Sequence, residues 1–225
     1  MANELFYTPF INDAYLKGYW RLESDFLDSS TSGYDLTGNN TPTDATGYFG
    51  NGKQFASASS ESATIASASC ADLEIASSQT WLCWYKKTSG TDHAILGKSD
   101  STPTKLKRIY SNNLNNVSFT LTGLTTNTSV TSSNAIANGT WSFICGVYDS
   151  TNSLLKIWID GTKTEVTASG SATATGGQFA LARDGDYSNY ANGVIDEVAI
   201  FNRALSDDEV TRYYNGTLVS MGFIL

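Results

Sequence analysis

Apolar and polar residues alternate in short runs along most of the chain, which is typical of β-strands rather than of helices. At residues 116–122 the alternation places Val117, Phe119 and Leu121 on one face of a predicted strand. Residues 80–86 (TWLCWYK) and 141–148 (WSFICGVY) are apolar at nearly every position, which indicates strands that are buried on both faces. Shorter candidate strands lie at residues 15–23, 53–55, 63–65, 94–96, 107–110, 154–159 and 178–182.

Polar turn sequences separate these strands at short, regular intervals. Asp160-Gly161 is the clearest of them, because this dipeptide favours a two-residue hairpin between apolar runs. The spacing predicts one all-β domain, an antiparallel sandwich of roughly a dozen strands. We place this domain at residues 15–216, between terminal segments at residues 1–14 and 217–225.

One short helix is predicted near the C-terminus. Ser206 and Glu209 have the spacing of a capping box, in which each side chain accepts a hydrogen bond from the other residue's backbone N–H. Leu205 and Val210 occupy the two positions of a hydrophobic staple, and Gly216 is placed to end the helix.

A pair of carboxylates interrupts the strand that precedes this helix. Residues 194–201 (VIDEVAIF) are apolar except for Asp196 and Glu197. Adjacent side chains of a regular strand face opposite sides, so at least one carboxylate should need a partner. That partner is a metal ion, an arginine, or water at the rim of the sheet.

Charge and cysteine content narrow the classes of function. The net charge of -8 argues against binding to duplex nucleic acid or to anionic membranes. No stretch approaches the ~18 apolar residues of a membrane span, and the first residues lack the pattern of a signal peptide. Of the three cysteines, Cys83 and Cys145 lie within apolar strands, where we expect buried, unpaired thiols.

The order of motifs resembles a known family. The segments YWRLE, WLCWYK, WSFICGVYD, KIWIDG, FALARDG and NGVIDEVAIFNRALSDDEV follow one another as in the LamG-like modules, which have the concanavalin A-like jelly-roll fold. The resemblance covers residues 15–216. It implies a jelly-roll β-sandwich and a binding or adhesion unit without catalytic activity, and many such modules carry calcium.

The resemblance also implies where calcium would bind. In this fold the first and last strands lie side by side, which would bring Glu23 and Asp28 near Asp196 and Glu197. Calcium takes 6–8 oxygen ligands, and these four carboxylates are the predicted site. The alternative is a polar rim in which an arginine, Arg21 or Arg203, pairs with the carboxylates.

A second candidate site is the loop at residues 183–190 (RDGDYSNY). Aromatic faces and planar hydrogen-bonding groups are suited to binding sugars, and lectin-like folds use rim loops for this purpose. The alternative is a solvated turn whose tyrosines cover the edge of the sandwich. The predicted ligand-binding residues are Arg183, Asp184, Asp186, Tyr187, Asn189 and Tyr190.

Catalysis is not expected. Residues 23–28 (ESDFLD) only approximate the E-x-D-x-x-E pattern of the related glucanases, because the last position is Asp. The only histidine is His93, which is predicted in a surface loop, so a catalytic triad or a zinc site is not indicated.

The sequence therefore predicts a non-catalytic module that binds a glycan or a cell-surface polymer through rim loops. The alternative is a structural or decoration protein of a phage virion or surface assembly, with other virion or surface-layer proteins as partners. In both cases we expect the protein outside the cell or on a virion surface, with no nucleic-acid partner and no membrane insertion.

Overall fold

The computed structural model describes residues 12–90, 93–101 and 104–219. Three short 3-10 helices (Ser57–Ser59, Ser67–Ser69 and Ala71–Leu73) and one α-helix, α1 (Asp207–Val219), accompany the strands. In chain order the strands are β1 (Leu16–Trp20), β2 (Thr37–Asn39), β3 (Thr43–Thr46), β4 (Asn51–Phe55), β5 (Ser62–Ile65), β6 (Gln79–Lys87), β7 (His93–Ser99), β8 (Leu106–Ser111), β9 (Asn116–Leu121), β10 (Leu124–Thr125), β11 (Ser129–Ala135), β12 (Trp141–Asp149), β13 (Leu154–Ile159), β14 (Thr162–Thr167), β15 (Ser169–Gly170), β16 (Phe179–Leu181), β17 (Arg183–Asp184), β18 (Tyr187–Tyr190) and β19 (Gly193–Phe201).

Two antiparallel sheets form a sandwich, which confirms the predicted all-β fold with a C-terminal helix. Sheet A has eight strands in the order β14-β13-β12-β6-β19-β4-β3, with β1 also paired to β19. Sheet B has seven strands in the order β11-β9-β8-β7-β16-β5-β2. The pairing of β1 with β19 confirms that the first and last strands are neighbours.

The strand patterns follow from the layers that cover each sheet. Strand β9 buries Val117, Phe119 and Leu121 and leaves the alternate positions half-exposed, because only one face of sheet B meets the core. Strand β6 is apolar on both faces. Its Trp81 belongs to the core between the sheets, whereas its Trp84 belongs to a second apolar cluster on the outer face of sheet A.

Helix α1 contributes to this second cluster. Leu205 and Val210 are both buried there, and the capping box is formed: Ser206 N–H donates to Glu209 Oε2 at 2.8 Å, and Glu209 N–H donates to Ser206 Oγ at 3.2 Å. The helix does not end at Gly216, contrary to prediction. Gly216 keeps a helical conformation and the helix continues to Val219, whereas a glycine cap requires the left-handed conformation.

The Asp196–Glu197 pair lies in a β-bulge of β19. The register with β6 shifts between Asp196 and Ala199, and Glu197 has a φ of 51°. The extra residue of a bulge lets both carboxylates lie on the outer side of sheet A, while Ile195 and Val198 face the core. The expectation that the two face opposite sides is therefore wrong, and both are buried rather than at a solvated rim.

Candidate functional site

The hairpin formed by β17 and β18 packs on the outer face of sheet B, over strand β7. Gly97 permits this close approach, because a Cβ atom there would lie 2.7 Å from both the Arg183 carbonyl oxygen and the Asp184 Cα. At the tip of the hairpin the Asp186 N–H donates to the Ser99 carbonyl at 3.1 Å. The hairpin is thus fixed to the sheet at both β17 and the tip.

Asp184 is the buried anchor of the hairpin. Its side chain is 0% exposed, and its Oδ2 forms an ion pair with Arg108 Nη1 of β8 at 2.5 Å. Burial raises the pKa of Asp184, and the neighbouring Arg108 opposes that rise. Its other oxygen, Oδ1, is buried with no hydrogen-bond partner among the described residues.

Two arginine–tyrosine stacks flank Asp184. The Arg108 guanidinium lies 4.4 Å from the ring centroid of Tyr110, and the Arg183 guanidinium lies 5.6 Å from that of Tyr190. The Nε atoms of both arginines are buried and, within the described part of the chain, have no hydrogen-bond partner. Three buried polar atoms without a described partner, from Arg108, Arg183 and Asp184, therefore lie in and beneath the hairpin.

A flat array of hydroxyl groups continues this surface across β9 and β11. Thr120 is paired with Arg108, and Ser118 with Tyr110, on the outer face of sheet B. Ser118 and Thr131 hydroxyls are 2.8 Å apart, and those of Thr120 and Ser129 are 3.0 Å apart. We call the hairpin, Arg108, Tyr110 and these hydroxyls together the hairpin surface.

The structure gives the predicted loop residues different surroundings. Tyr187 is 41% exposed, and Asn189 and Tyr190 are half-buried. Asp186 accepts hydrogen bonds from the N–H and the Nε2 of Gln178 at 3.2 and 2.7 Å, and Asp184 is buried beneath the hairpin. Whether these residues bind a ligand stays a prediction.

The ligand-binding residues predicted from the sequence did not include Arg108 and Tyr110. The alternation in LKRIYS was a usable signal, because it places Arg108 and Tyr110 on one face of β8 and Lys107 and Ile109 on the other. The pairing of Arg108 with Asp184, 76 residues away, required the fold.

The carboxylates predicted to bind calcium hold backbone amides instead. Asp196 Oδ2 accepts the N–H groups of Tyr48 and Phe49 at 2.8 and 2.9 Å, and Glu23 Oε2 accepts the N–H of Asn51 at 3.0 Å. Both carboxylates therefore fix the turn between β3 and β4. The Tyr19 hydroxyl donates to Glu197 Oε2.

Asp28 is occupied within its own loop. Its Oδ1 accepts the N–H groups of Tyr19 and Ser30, and its Oδ2 accepts the Ser30 hydroxyl and the Tyr34 N–H. In the ranges that the structure describes, no three His, Cys, Asp or Glu side chains are grouped to hold a metal ion. The four predicted residues do not fit a shared calcium shell, and only Asp196 Oδ1 is left buried without a partner. Calcium binding stays a prediction of the resemblance.

The two arginines of the polar-rim alternative contact other carboxylates as well, and whether either one pairs with Asp196 or Glu197 stays a prediction. Arg203 bonds Asp13 and Glu209, at 2.6 and 2.8 Å, and links the start of the described chain to helix α1. Arg21 lies 3.6 Å from Glu23.

His93 is buried at the start of β7 rather than in a surface loop, so that prediction is wrong. Its Nδ1 lies 2.7 Å from the Tyr85 hydroxyl, and burial between strands explains its position. The three cysteines are free and buried, which confirms the predicted state of Cys83 and Cys145.

Comparison with known families agrees with this architecture. The family model Laminin_G_3, described as the Concanavalin A-like lectin/glucanases superfamily, matches residues 57–211. The chain belongs to this superfamily. No curated protein matched the chain. None of the described helices has the length and apolar character needed to cross a membrane.

Several solved structures share the fold at low sequence identity. Domain 4 of an extracellular arabinanase from Geobacillus stearothermophilus, in complex with arabinotriose, has a TM-score of 0.61 and 18% identity, over 87% of this chain and 96% of that one. The binding domain of Paraclostridial Mosquitocidal Protein 1 has a TM-score of 0.70 and 15% identity, over 89% of this chain. A third structure is of botulinum neurotoxin type C, whose cell entry depends on interaction with two ganglioside molecules. It has a TM-score of 0.64 and 15% identity, over 92% of this chain. This chain spans 52% of each of the two toxin chains.

Proposed function

We propose that the protein is a non-catalytic recognition module that binds a glycan at the hairpin surface. The observation that carries the proposal is the arrangement of Arg108, Arg183 and Asp184. Buried polar groups in proteins are almost always hydrogen-bonded, so three unpartnered atoms beneath one surface indicate that water or a ligand completes the hairpin region. Sugar hydroxyls both donate and accept, and can therefore bond both the exposed part of Arg108 and the Ser and Thr hydroxyls of β9 and β11.

The aromatic side chains of the hairpin surface suit the same class of ligand. Tyr187 is exposed, and the rings of Tyr110 and Tyr190 are half-exposed and held by the arginines stacked on them. Ligand sites in proteins typically combine aromatic faces with a few fixed polar groups. Because the arginines are held by ion-pair and stacking contacts, little side-chain entropy would be lost on binding.

The neighbouring structures support the proposal only through the fold. The arabinanase domain was solved with arabinotriose, but at 18% identity this says nothing about which residues of the present chain bind a ligand. The assignment to the hairpin surface therefore depends on the contacts of Arg108, Arg183 and Asp184.

A glycan array followed by calorimetric titration of the strongest hit tests the proposal. We expect Tyr187→Ala and Arg108→Gln each to weaken binding about tenfold or more, since each removes a contact of more than about 1.4 kcal/mol. Tyr15→Ala is the matched control, because Tyr15 is 54% exposed and directly precedes β1, which belongs to sheet A. Equal affinities for the Tyr187 and Tyr15 variants, or no glycan bound by the wild type, would contradict the proposal.

The alternative of a structural component of a virion or surface assembly stays a prediction. Size-exclusion chromatography distinguishes the two, because an assembly protein would self-associate in a concentration-dependent way without a glycan. A location outside the cell or on a virion surface follows from either function and stays a prediction with them.

A further inference from the structure

We infer that the hairpin surface takes an uncharged glycan and rejects acidic ones, and that Asp184 sets this preference by cancelling the charge of Arg108. The inference rests on the proposed function and specifies its ligand class. It follows from how the four charged side chains of the hairpin and the facing part of β8 are paired.

These side chains comprise two arginines and two aspartates. Asp184 is fully buried and faces Arg108, whose side chain is 22% exposed. An acidic sugar would compete with Asp184 for this guanidinium. If it won, the Asp184 carboxylate would be left buried without its cation, which is strongly unfavourable.

The charge of Arg183 is also offset by an aspartate of the hairpin, Asp186, although the two side chains form no direct ion pair. The Arg183 Nη2 donates to the Asp186 main-chain carbonyl at 3.1 Å, and the Asp186 carboxylate accepts from the uncharged donors of Gln178. The Asp186 carboxylate therefore adds a negative charge at the tip of the same hairpin, where its bonded donors are uncharged. The net charge of the four side chains is zero, and each arginine has an aspartate as its neighbour.

The charge of the whole chain acts in the same direction. At a net charge of -8 the protein repels a polyanion before contact, and no local excess of positive charge offsets this repulsion at the hairpin surface. Uncharged donors and acceptors, such as sugar hydroxyls, avoid both penalties. They can still hydrogen-bond to the exposed part of Arg108 and to the Ser and Thr hydroxyls of β9 and β11.

The test is affinity electrophoresis of the wild-type protein in gels that contain one soluble polysaccharide each. Uncharged pentose and hexose polymers form one set, and polygalacturonate and hyaluronate form the other. We expect retardation by a member of the uncharged set only, with an affinity that changes by less than about twofold between 50 and 500 mM NaCl, because screening has little effect on uncharged ligands. Binding to the acidic set, weakened by salt, would overturn this inference and leave the proposed function standing. Binding to neither set would instead count against the proposed function itself.

Asp184→Asn separates the role of Asp184 from that of overall charge. We expect it to weaken binding to the uncharged polymer about tenfold or more, since Arg108 loses its buried partner. It should also produce salt-sensitive retention by polygalacturonate. Asp208→Asn is the matched control, because it changes the net charge equally at an exposed position of helix α1. If both variants behaved alike, or if Asp184→Asn gained no affinity for the polyanion, Asp184 would not determine the preference. If Asp184→Asn failed to fold, the wild-type panel would still decide the ligand class.

Discussion

The replacement Glu74→Gln should destabilise the fold strongly, because the Glu74 carboxylate is the shared ion-pair partner of two buried lysines. Lys98 and Lys107 are 1% and 0% exposed and point into the sandwich from the adjacent strands β7 and β8. Their Nζ atoms lie 3.0 and 3.1 Å from the two oxygens of Glu74. The same oxygens accept the N–H groups of Thr175 and Gly176. Glu74 therefore also fixes the loop that precedes β16.

The pKa of Glu74 gives the magnitude. Burial alone would raise this pKa, but the N–H of Thr175 and the ammonium groups of Lys107 and Lys98 outweigh it and lower the pKa from 4.5 to about 2. A lowering of that size corresponds to about 3 kcal/mol of stability. Removing one partner from a buried ion pair typically costs about 3–5 kcal/mol, so the two values agree.

The sign of the pH dependence follows from the lowered pKa. A carboxylate with a depressed folded-state pKa contributes stability above its unfolded pKa and loses it as the pH falls toward the folded value. The difference between wild type and Glu74→Gln should therefore be full at pH 7. It should decrease by about 2 kcal/mol at pH 3, where Glu74 of the wild type is almost fully protonated in the unfolded chain but largely ionised in the folded one.

Urea unfolding followed by tryptophan fluorescence at pH 7 and pH 3 measures both effects. Glu165→Gln is the matched control, because Glu165 is 41% exposed and its ion pair with Lys163 should contribute less than about 1 kcal/mol. If the two variants had the same stability at pH 7, the reasoning would be refuted. A loss for Glu74→Gln that did not depend on pH would indicate lost packing rather than lost charge.

Three further predictions concern other elements. Ser206→Ala should lower the unfolding free energy by about 1 kcal/mol through loss of the N-cap, and an equal effect of the exposed Ser29→Ala would contradict this. The three buried cysteines should react with a thiol reagent only after unfolding, and rapid labelling of the native protein would overturn the assignment. Burial, together with the charge of Glu197, raises the pKa of Asp196 to about 8. Without a cation, the unfolding free energy should therefore fall as the pH rises from about 4 to 8, because the unfolded chain loses this proton first. Asp196→Asn should remove this pH dependence. Calcium that raised the melting temperature at pH 8 in the wild type but not in Asp196→Asn would support the predicted cation, whereas no response to calcium or chelator would leave Asp196 as a clamp on the turn between β3 and β4.

Local signals predicted the local structure well. The capping box of Ser206 and Glu209 and the alternation in β9 involve residues close in the chain, whose spacing defines the geometry directly. The hairpin at Asp160-Gly161 formed as predicted, with both residues at positive φ. The same reasoning failed for the Asp196–Glu197 pair, because a bulge inserts one residue and the residue types alone do not indicate it.

The ionic contacts could not be predicted from residue types. Nothing in the residue types of Lys98 and Lys107 indicates burial, because lysine is rarely buried without a partner. Their partner, Glu74, lies on a separate segment, and only the fold brings it beneath β7 and β8. The pairing of Arg108 with Asp184 depends in the same way on the path of the hairpin across sheet B, which no local pattern specifies.

The central claim is that a glycan binds at the hairpin surface. It is tested most directly by amide chemical-shift mapping of the isotope-labelled protein during titration with an oligosaccharide of the uncharged polymer that retards it. We predict that the largest changes fall on β17, β18 and β8, and that Arg108→Gln reduces them at the same oligosaccharide concentration. Changes centred on the turn between β3 and β4 or on helix α1, with β8 and the hairpin unaffected, would contradict the claim.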